Sequence, residues 1–148
     1  MTSLNSNDFL SNRAWHQAVV GGKDMILRRT SALEFHQLFG GYNHEKNIDV
    51  YAKRRGEYDN INYCLVDTFD GIDFVQFRGV LCTSISHTIN EMLEDYDNID
   101  EQSLLEGLSC YYYTHDKSFD GLFIKPENMT RFNMIKDWAI EYYSVLII

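Results

Sequence analysis

The chain has 148 residues, enough for one domain with a real core, since a chain near 150 residues buries roughly 68–70% of its extended-chain surface. Apolar residues make up 45% and aromatics 14%, which excludes a disordered chain. No run of eighteen apolar residues and no apolar core near the amino terminus marks a membrane span or secretory signal, so the expected location is the cytoplasm with no membrane contact. The net charge of −9 is lopsided: residues 1–80 hold nine basic and ten acidic residues, residues 81–148 four and twelve. Such an acidic second half argues against nucleic acid as the main partner and favours a basic protein, although acidity also serves solubility alone.

In chain order, Asp8 to Val20 is a predicted helix with Phe9, Ala14, Trp15 and Ala18 as its apolar contacts and Gly21-Gly22 as its end. Met25-Ile26-Leu27 is a short segment leading into Arg28-Arg29. The next helix starts at Thr30 or Ser31, with Ser31 and Glu34 at capping-box spacing, Ala32, Phe35, His36 and Phe39 on one face, and Gly40 as the stop. Ile48 to Ala52 alternates as a half-buried strand does, and Lys53-Arg54-Arg55-Gly56 follows as a basic loop. Ile61–Phe69 and Phe74–Phe77 read as strands around the Asp70-Gly71 turn signal, and Arg78-Gly79 turns tightly into Val80-Leu81-Cys82. Short connections predict an antiparallel meander, because parallel neighbours need long crossovers.

From Val80 to Tyr113 the pattern becomes helical twice. Ile85, Ile89, Met92, Leu93 and Tyr96 fall on one face, with Asn90, Glu91, Glu94 and Asp95 opposite. Asp100 is a predicted N-cap, flanked by Ile99 and Leu104 at hydrophobic-staple spacing, and Leu104, Leu105, Leu108, Tyr111 and Tyr112 continue the second helix. Pro126 opens a last helix whose buried face is Met129, Phe132, Ile135, Ala139 and Tyr142. The tail YYSVLII is apolar enough to suggest packing on the core, a covering partner or a homodimer. The sum is a single α+β domain over residues 1–148: a small, mostly antiparallel sheet of about four strands against several helices.

Chemistry leaves little trace. His16, His36, His44, His87 and His115 form no H-E-x-x-H pattern, and Cys64, Cys82 and Cys110 form no C-x-x-C pair, so the cysteines read as small reduced core residues. Cys110 with His115, and Ser84 or Ser86 with His87, are conceivable nucleophile and base pairs. Acidic surroundings disfavour a thiolate, however, and serines entering a helix are expected as caps. There is no G-x-S-x-G elbow, P-loop or G-x-G-x-x-G, so no cofactor, metal or catalytic residue is assigned. Arg28, Arg29, Lys53, Arg54 and Arg55, with Tyr51 and Tyr58 nearby, would suit single-stranded nucleic acid if joined in one patch. Their alternative is solvation or pairing with Glu57 and Asp59.

Four stretches, LRRTSALEFHQLF (27–39), IDVYAKRRG (48–56), VLCTSISHTINEMLED (80–95) and IDEQSLLEGLSCYY (99–112), together resemble the antitoxin domain of type IV, AbiE-type toxin–antitoxin systems, over roughly residues 25–145. The resemblance implies a cytoplasmic, non-enzymatic bacterial or mobile-element protein that counteracts a nucleotidyltransferase-like toxin in phage defence or plasmid maintenance. Full-length members place a winged-helix DNA-binding domain ahead of this one, and about 25 residues are too few for it, which leaves the family's operator binding an open question for this sequence. With direct contact, Glu91, Glu94, Asp95, Asp100 and Glu101 form the docking face and Tyr111, Tyr112 or Tyr113 anchor it. The rival readings are an element-encoded inhibitor of another defence component, and an enzyme whose site is assembled from scattered residues.

Overall fold

The computed structural model describes residues 12–40 and 47–147; Asp8, Phe9 and His44 lie outside them. The elements are α1 (Asn12–Val20), β1 (Met25–Leu27), α2 (Arg29–Phe35), β2 (Ile48–Ala52), β3 (Ile61–Leu65), β4 (Phe74–Phe77), β5 (Val80–Thr83), α3 (Ile85–Glu94), α4 (Glu101–Thr114) and α5 (Met129–Ile147). Single 3-10 turns at Tyr96–Asn98 and Pro126–Asn128 precede α4 and α5. The α+β class stands, and none of the described helices is long and apolar enough to cross a membrane.

The sheet departs from the expected meander. The described residues form five strands in the order β3-β2-β1-β5-β4, with β1–β5 and β2–β3 parallel and β1–β2 and β4–β5 antiparallel. Met25–Leu27, too short to show a period, is its central strand, and Ile26 and Leu27 are fully buried. Strands β3 and β4 are therefore not neighbours but opposite edges. The strand read as Ile61–Phe69 ends at Leu65, which frees residues 66–73 as a strap. At full stretch the strap reaches about 30 Å, against about 19 Å across four strand spacings. It crosses the face away from α1 and α2, where Phe69 meets the Phe74 ring at 6.4 Å and lies under the Lys53 ammonium at 4.7 Å. The Asp70-Gly71 turn is real, with Gly71 at φ 83°, but it bends the strap rather than a hairpin. Arg78-Gly79 is the true hairpin turn, both residues having the positive φ such loops require (53° and 80°).

Helix α2 corrects the capping box. Arg28 takes the N-cap position without a side-chain bond. Ser31 Oγ instead accepts from the Asp49 backbone N–H at 2.8 Å, and Glu34 reaches His16. The helix stops at Phe35, five residues before Gly40, because Gln37 turns to φ 62°. Its two flanks join two cores: Ala32 and Phe35 pack with Trp15, Val20, Leu27 and Val50 under the sheet, while Leu33 packs with Met92, Leu104, Leu108, Phe132 and Ile135 among the helices. Three further readings change. Ala18 and Met129 are exposed, and Asn90 is buried at 3%, its carboxamide accepting from Lys125 N and donating to the Ser86 and Phe123 carbonyls. Of the cysteines only Cys82 is in the core; Cys64 and Cys110 are half-buried.

Candidate functional site

The acidic residues expected to form one docking face divide by partner. Ser84 caps α3, accepting from His87 N at 3.2 Å, and so fixes the helix phase that turns Glu91 inward. Arg28 Nε donates to Glu91 Oε1 at 3.1 Å, Arg29 Nε stands 3.5 Å from the same oxygen, and Arg29 Nη2 donates to Asp95 Oδ2 at 2.6 Å. Burial pushes the Glu91 carboxyl up against the pull of both arginines. The more open Asp95 is held low, first by Asn98 and then by Arg29. Arg29 has a φ of 49°, a backbone state unusual for a residue with a side chain. Asp100 serves as N-cap, accepting from Gln102 N at 3.1 Å. That leaves Glu94, Glu101 and the unanticipated Asp97 exposed. Glu94 reaches Lys125 at 3.4 Å, and Glu101 accepts from the Tyr96 hydroxyl.

The expected tyrosine anchors are mostly spoken for. Tyr111 is 5% exposed, and its hydroxyl donates to the Asp120 carbonyl at 2.6 Å. Tyr112 packs against Phe119, and Tyr113 donates to the Ile140 carbonyl at 3.0 Å. These residues tie α4 to α5 and to the following loop. Large exposed apolar side chains lie elsewhere, among them Phe123 at 65%, and Trp138 at 55% with Met134 at 64% on α5. At 100° per residue Trp138 and Met134 share a stripe with Arg131 and Tyr142. Arg131 lies over the Tyr96 ring at 4.7 Å, and Tyr142 accepts from Gln102 Nε2 at 3.0 Å, which sets the stripe beside the acidic corner of Asp97 and Glu101. The sequence does carry the signal, a second four-residue spacing out of phase with Phe132, Ile135 and Ala139.

The two basic clusters do not meet. The β1–β2 register places Arg28 beside Asp49 and Lys53 beyond Met25, at opposite ends of the strand pair. Arg28 stacks on Tyr51 at 4.5 Å. Lys53, Arg54 and Arg55 stay exposed, Lys53 meeting Asp24 at 3.3 Å and Arg55 lying over Tyr63 at 5.8 Å. A cavity of about 330 Å³ opens there between Lys23, Lys53, Arg54, Tyr58 and Tyr63.

The conceivable nucleophiles are otherwise engaged. Ser84 Oγ donates to Asp73 Oδ2 at 2.7 Å, and Ser86 Oγ accepts from Phe123 N at 2.9 Å. His115 stacks flat on Tyr111, while burial and then Glu106 raise the Cys110 thiol. Two pairings escaped the sequence because their members are distant along it. Cys82 Sγ lies 3.5 Å from His36 Nε2, but that nitrogen donates to the Thr83 carbonyl at 2.8 Å and cannot take the thiol proton, and burial pushes the thiol up to about 12. His16 Nε2 and Glu34 Oε1 meet at 3.1 Å deep in the sheet core. Among the described residues, no group of three or more His, Cys, Asp or Glu side chains is arranged to hold a metal ion.

Compared with known proteins, the chain matches no family model and no curated protein.

Proposed function

We propose that this chain is a non-enzymatic, antitoxin-like protein that neutralises a nucleotidyltransferase-like toxin in a bacterial or mobile-element defence system, by binding it directly. The resemblance over residues 25–145 supplies the family. The observation that supports direct binding is the exposed Met134–Trp138 stripe beside the acidic corner of Asp97 and Glu101, with the exposed Glu94 three residues before Asp97. A large aromatic anchor with a charged rim is the arrangement from which protein interfaces draw most of their affinity, and its sign selects a basic partner. The docking face of this reading is thus shifted from the one drawn on sequence: Glu94 and Glu101 remain in it, Glu91 and Tyr111 leave it, and Trp138 enters.

The test is co-expression of the tagged chain with the genes beside its own, paired with growth rescue from any nucleotidyltransferase-like toxin among them. Rescue with a stable complex is expected. Trp138→Ala should weaken the complex at least tenfold, and Glu94→Lys with Glu101→Lys should abolish rescue while the circular dichroism spectrum is unchanged. Rescue without any complex overturns direct binding. Capture of an unrelated defence component, with no rescue, would replace the antitoxin by an inhibitor.

A further inference from the structure

We propose that β4 is a self-pairing edge, along which two copies of this chain join antiparallel to make one continuous sheet. Among the described residues, strand β4 lies at the end of the strand order. Its inner side is committed to β5 in the register Phe74↔Thr83 to Phe77↔Val80. Ser84 N donates to the Asp73 carbonyl at 2.9 Å, which fixes the alternation: Asp73, Val75 and Phe77 turn their backbone groups to β5, and Phe74 and Gln76 turn theirs outward. Edges of this kind are normally guarded by a charge, a proline or a bulge. The sequence Phe-Val-Gln-Phe has none of these, and all four side chains are exposed, Phe74 by 38%, Val75 by 44% and Phe77 by 43%.

The occupant follows from symmetry. A two-fold axis perpendicular to the sheet keeps each face continuous, so a residue must stand opposite one of its own face. Val75 and Phe77 share the face of α1 and α2, because their partners Cys82 and Val80 are buried there. A register centred on Gln76 lets the two Gln76 residues exchange both backbone hydrogen bonds. It sets Val75 of each copy against Phe77 of the other, an aromatic and β-branched pair formed twice. At each end Arg78, whose guanidinium lies over its own Phe77 ring at 5.2 Å, keeps its charge beside this paired Val75–Phe77 face. The register centred on Val75 instead puts Phe77 against the Asp73 carboxylate. The edge is therefore complementary to itself in one register, and this interface lies on different residues from the Trp138 surface.

Sedimentation equilibrium over a concentration series tests it on the whole chain. The native protein should dimerise reversibly. Gln76→Pro removes an outward N–H while leaving the bonds to β5, which Val75 and Phe77 make, untouched; it should raise the dissociation constant at least tenfold with the circular dichroism spectrum preserved. Val75→Lys should do the same through the side chain. Gln76→Cys should give a 76–76 adduct with a short bismaleimide, located by mass spectrometry. A native chain that stays monomeric overturns the proposal, as does a dimer that neither substitution weakens. Slow exchange of the Phe74 and Gln76 amides in a monomer would overturn it too, by showing that another part of the chain covers the edge.

Discussion

Arg28-Arg29 and Lys53-Arg54-Arg55 flank the same two strands at opposite ends, yet the fold uses them in opposite ways. The first pair is drawn inward onto Glu91 and Asp95, with Arg28 stacked on Tyr51. The second cluster remains in solvent around an open cavity, with a loose contact to Asp24. Composition and local spacing are alike in both; what differs is whether a carboxylate arrives from an element far along the chain. A cation's role is thus decided by tertiary partners, and the energetic contrast should be measurable as a graded series of substitutions.

The largest effect should come from His16–Glu34, the most deeply enclosed of these contacts, with side chains only 2% and 3% exposed. Glu34→Ala leaves His16 buried without this acceptor and should cost about 3 kcal/mol, in the range for breaking a buried pair by removing one member. Glu34→Gln keeps the volume and an acceptor oxygen and should cost about 1 kcal/mol, as for a neutral hydrogen bond. Urea titration of both separates the contribution of the carboxylate from that of the side chain's volume. Equal losses would show that the acid itself, and not the packing that Gln preserves, matters there.

Next comes Glu91. Removing it by Glu91→Ala strands two arginines whose side chains are 13% and 22% exposed and should cost about 2 kcal/mol, typical of hydrogen bonds to charged groups. A double-mutant cycle with Arg28→Ala should return a coupling of about 1 kcal/mol or more. Additive losses would place Arg28 with the solvated cluster and dissolve the contrast.

A third step concerns a basic group with no carboxylate to meet it. His36 is kept neutral, its pKa lowered first by burial and further by the Arg13 charge, against the raising effect of its bond to the Thr83 carbonyl. Its folded-state pKa therefore lies below the unfolded value near 6.5, so the unfolded chain binds the proton first. Stability should be full above about pH 6.5 and fall on acidification, by at most about 1.4 kcal/mol per pH unit from this one group. His36→Gln should flatten that acid limb. Glu91, whose carboxyl is raised mainly by burial, contributes with opposite sign above about pH 4.5, so the two variants should bend the profile in opposite directions.

The elements that repeat a period over ten residues or more were legible. Ile89, Met92 and Leu93 on α3, Leu104 and Leu108 on α4, and Phe132, Ile135 and Ala139 on α5 are all buried as the 3.6-residue spacing requires, and Asp100 caps α4. What failed depended on distant partners. Three residues at β1 carry no period, so the strand at the centre of the sheet read as a link, and the strand order followed it into error. Ser31 and Glu34 have capping-box spacing, but a sequence cannot show that Asp49 and His16 will claim them. At the α3–α4 corner Glu94, Asp97 and Glu101 are exposed and acidic, as the charge pattern suggests. That pattern could not tell Glu91, which the two arginines neutralise, from Glu94 and Glu101, which stay outside.

The smallest effects belong to the solvated cluster. Lys53 and Asp24 are 46% and 67% exposed at 3.3 Å, and such surface pairs contribute about 0–1 kcal/mol. Lys53→Ala, which also removes the ammonium from Phe69, should fall near the middle of that range. Arg54→Ala should change stability by less than about 0.5 kcal/mol, as expected for a surface site with no buried contact. Thermal denaturation resolves this, because 1 kcal/mol corresponds to about 3 °C in a chain of this size. A loss at Arg54 as large as that at Glu91 would mean that the cavity wall is a fixed structural element. The two ends of the strand pair would then differ in solvent exposure but not in the energetic role of their cations.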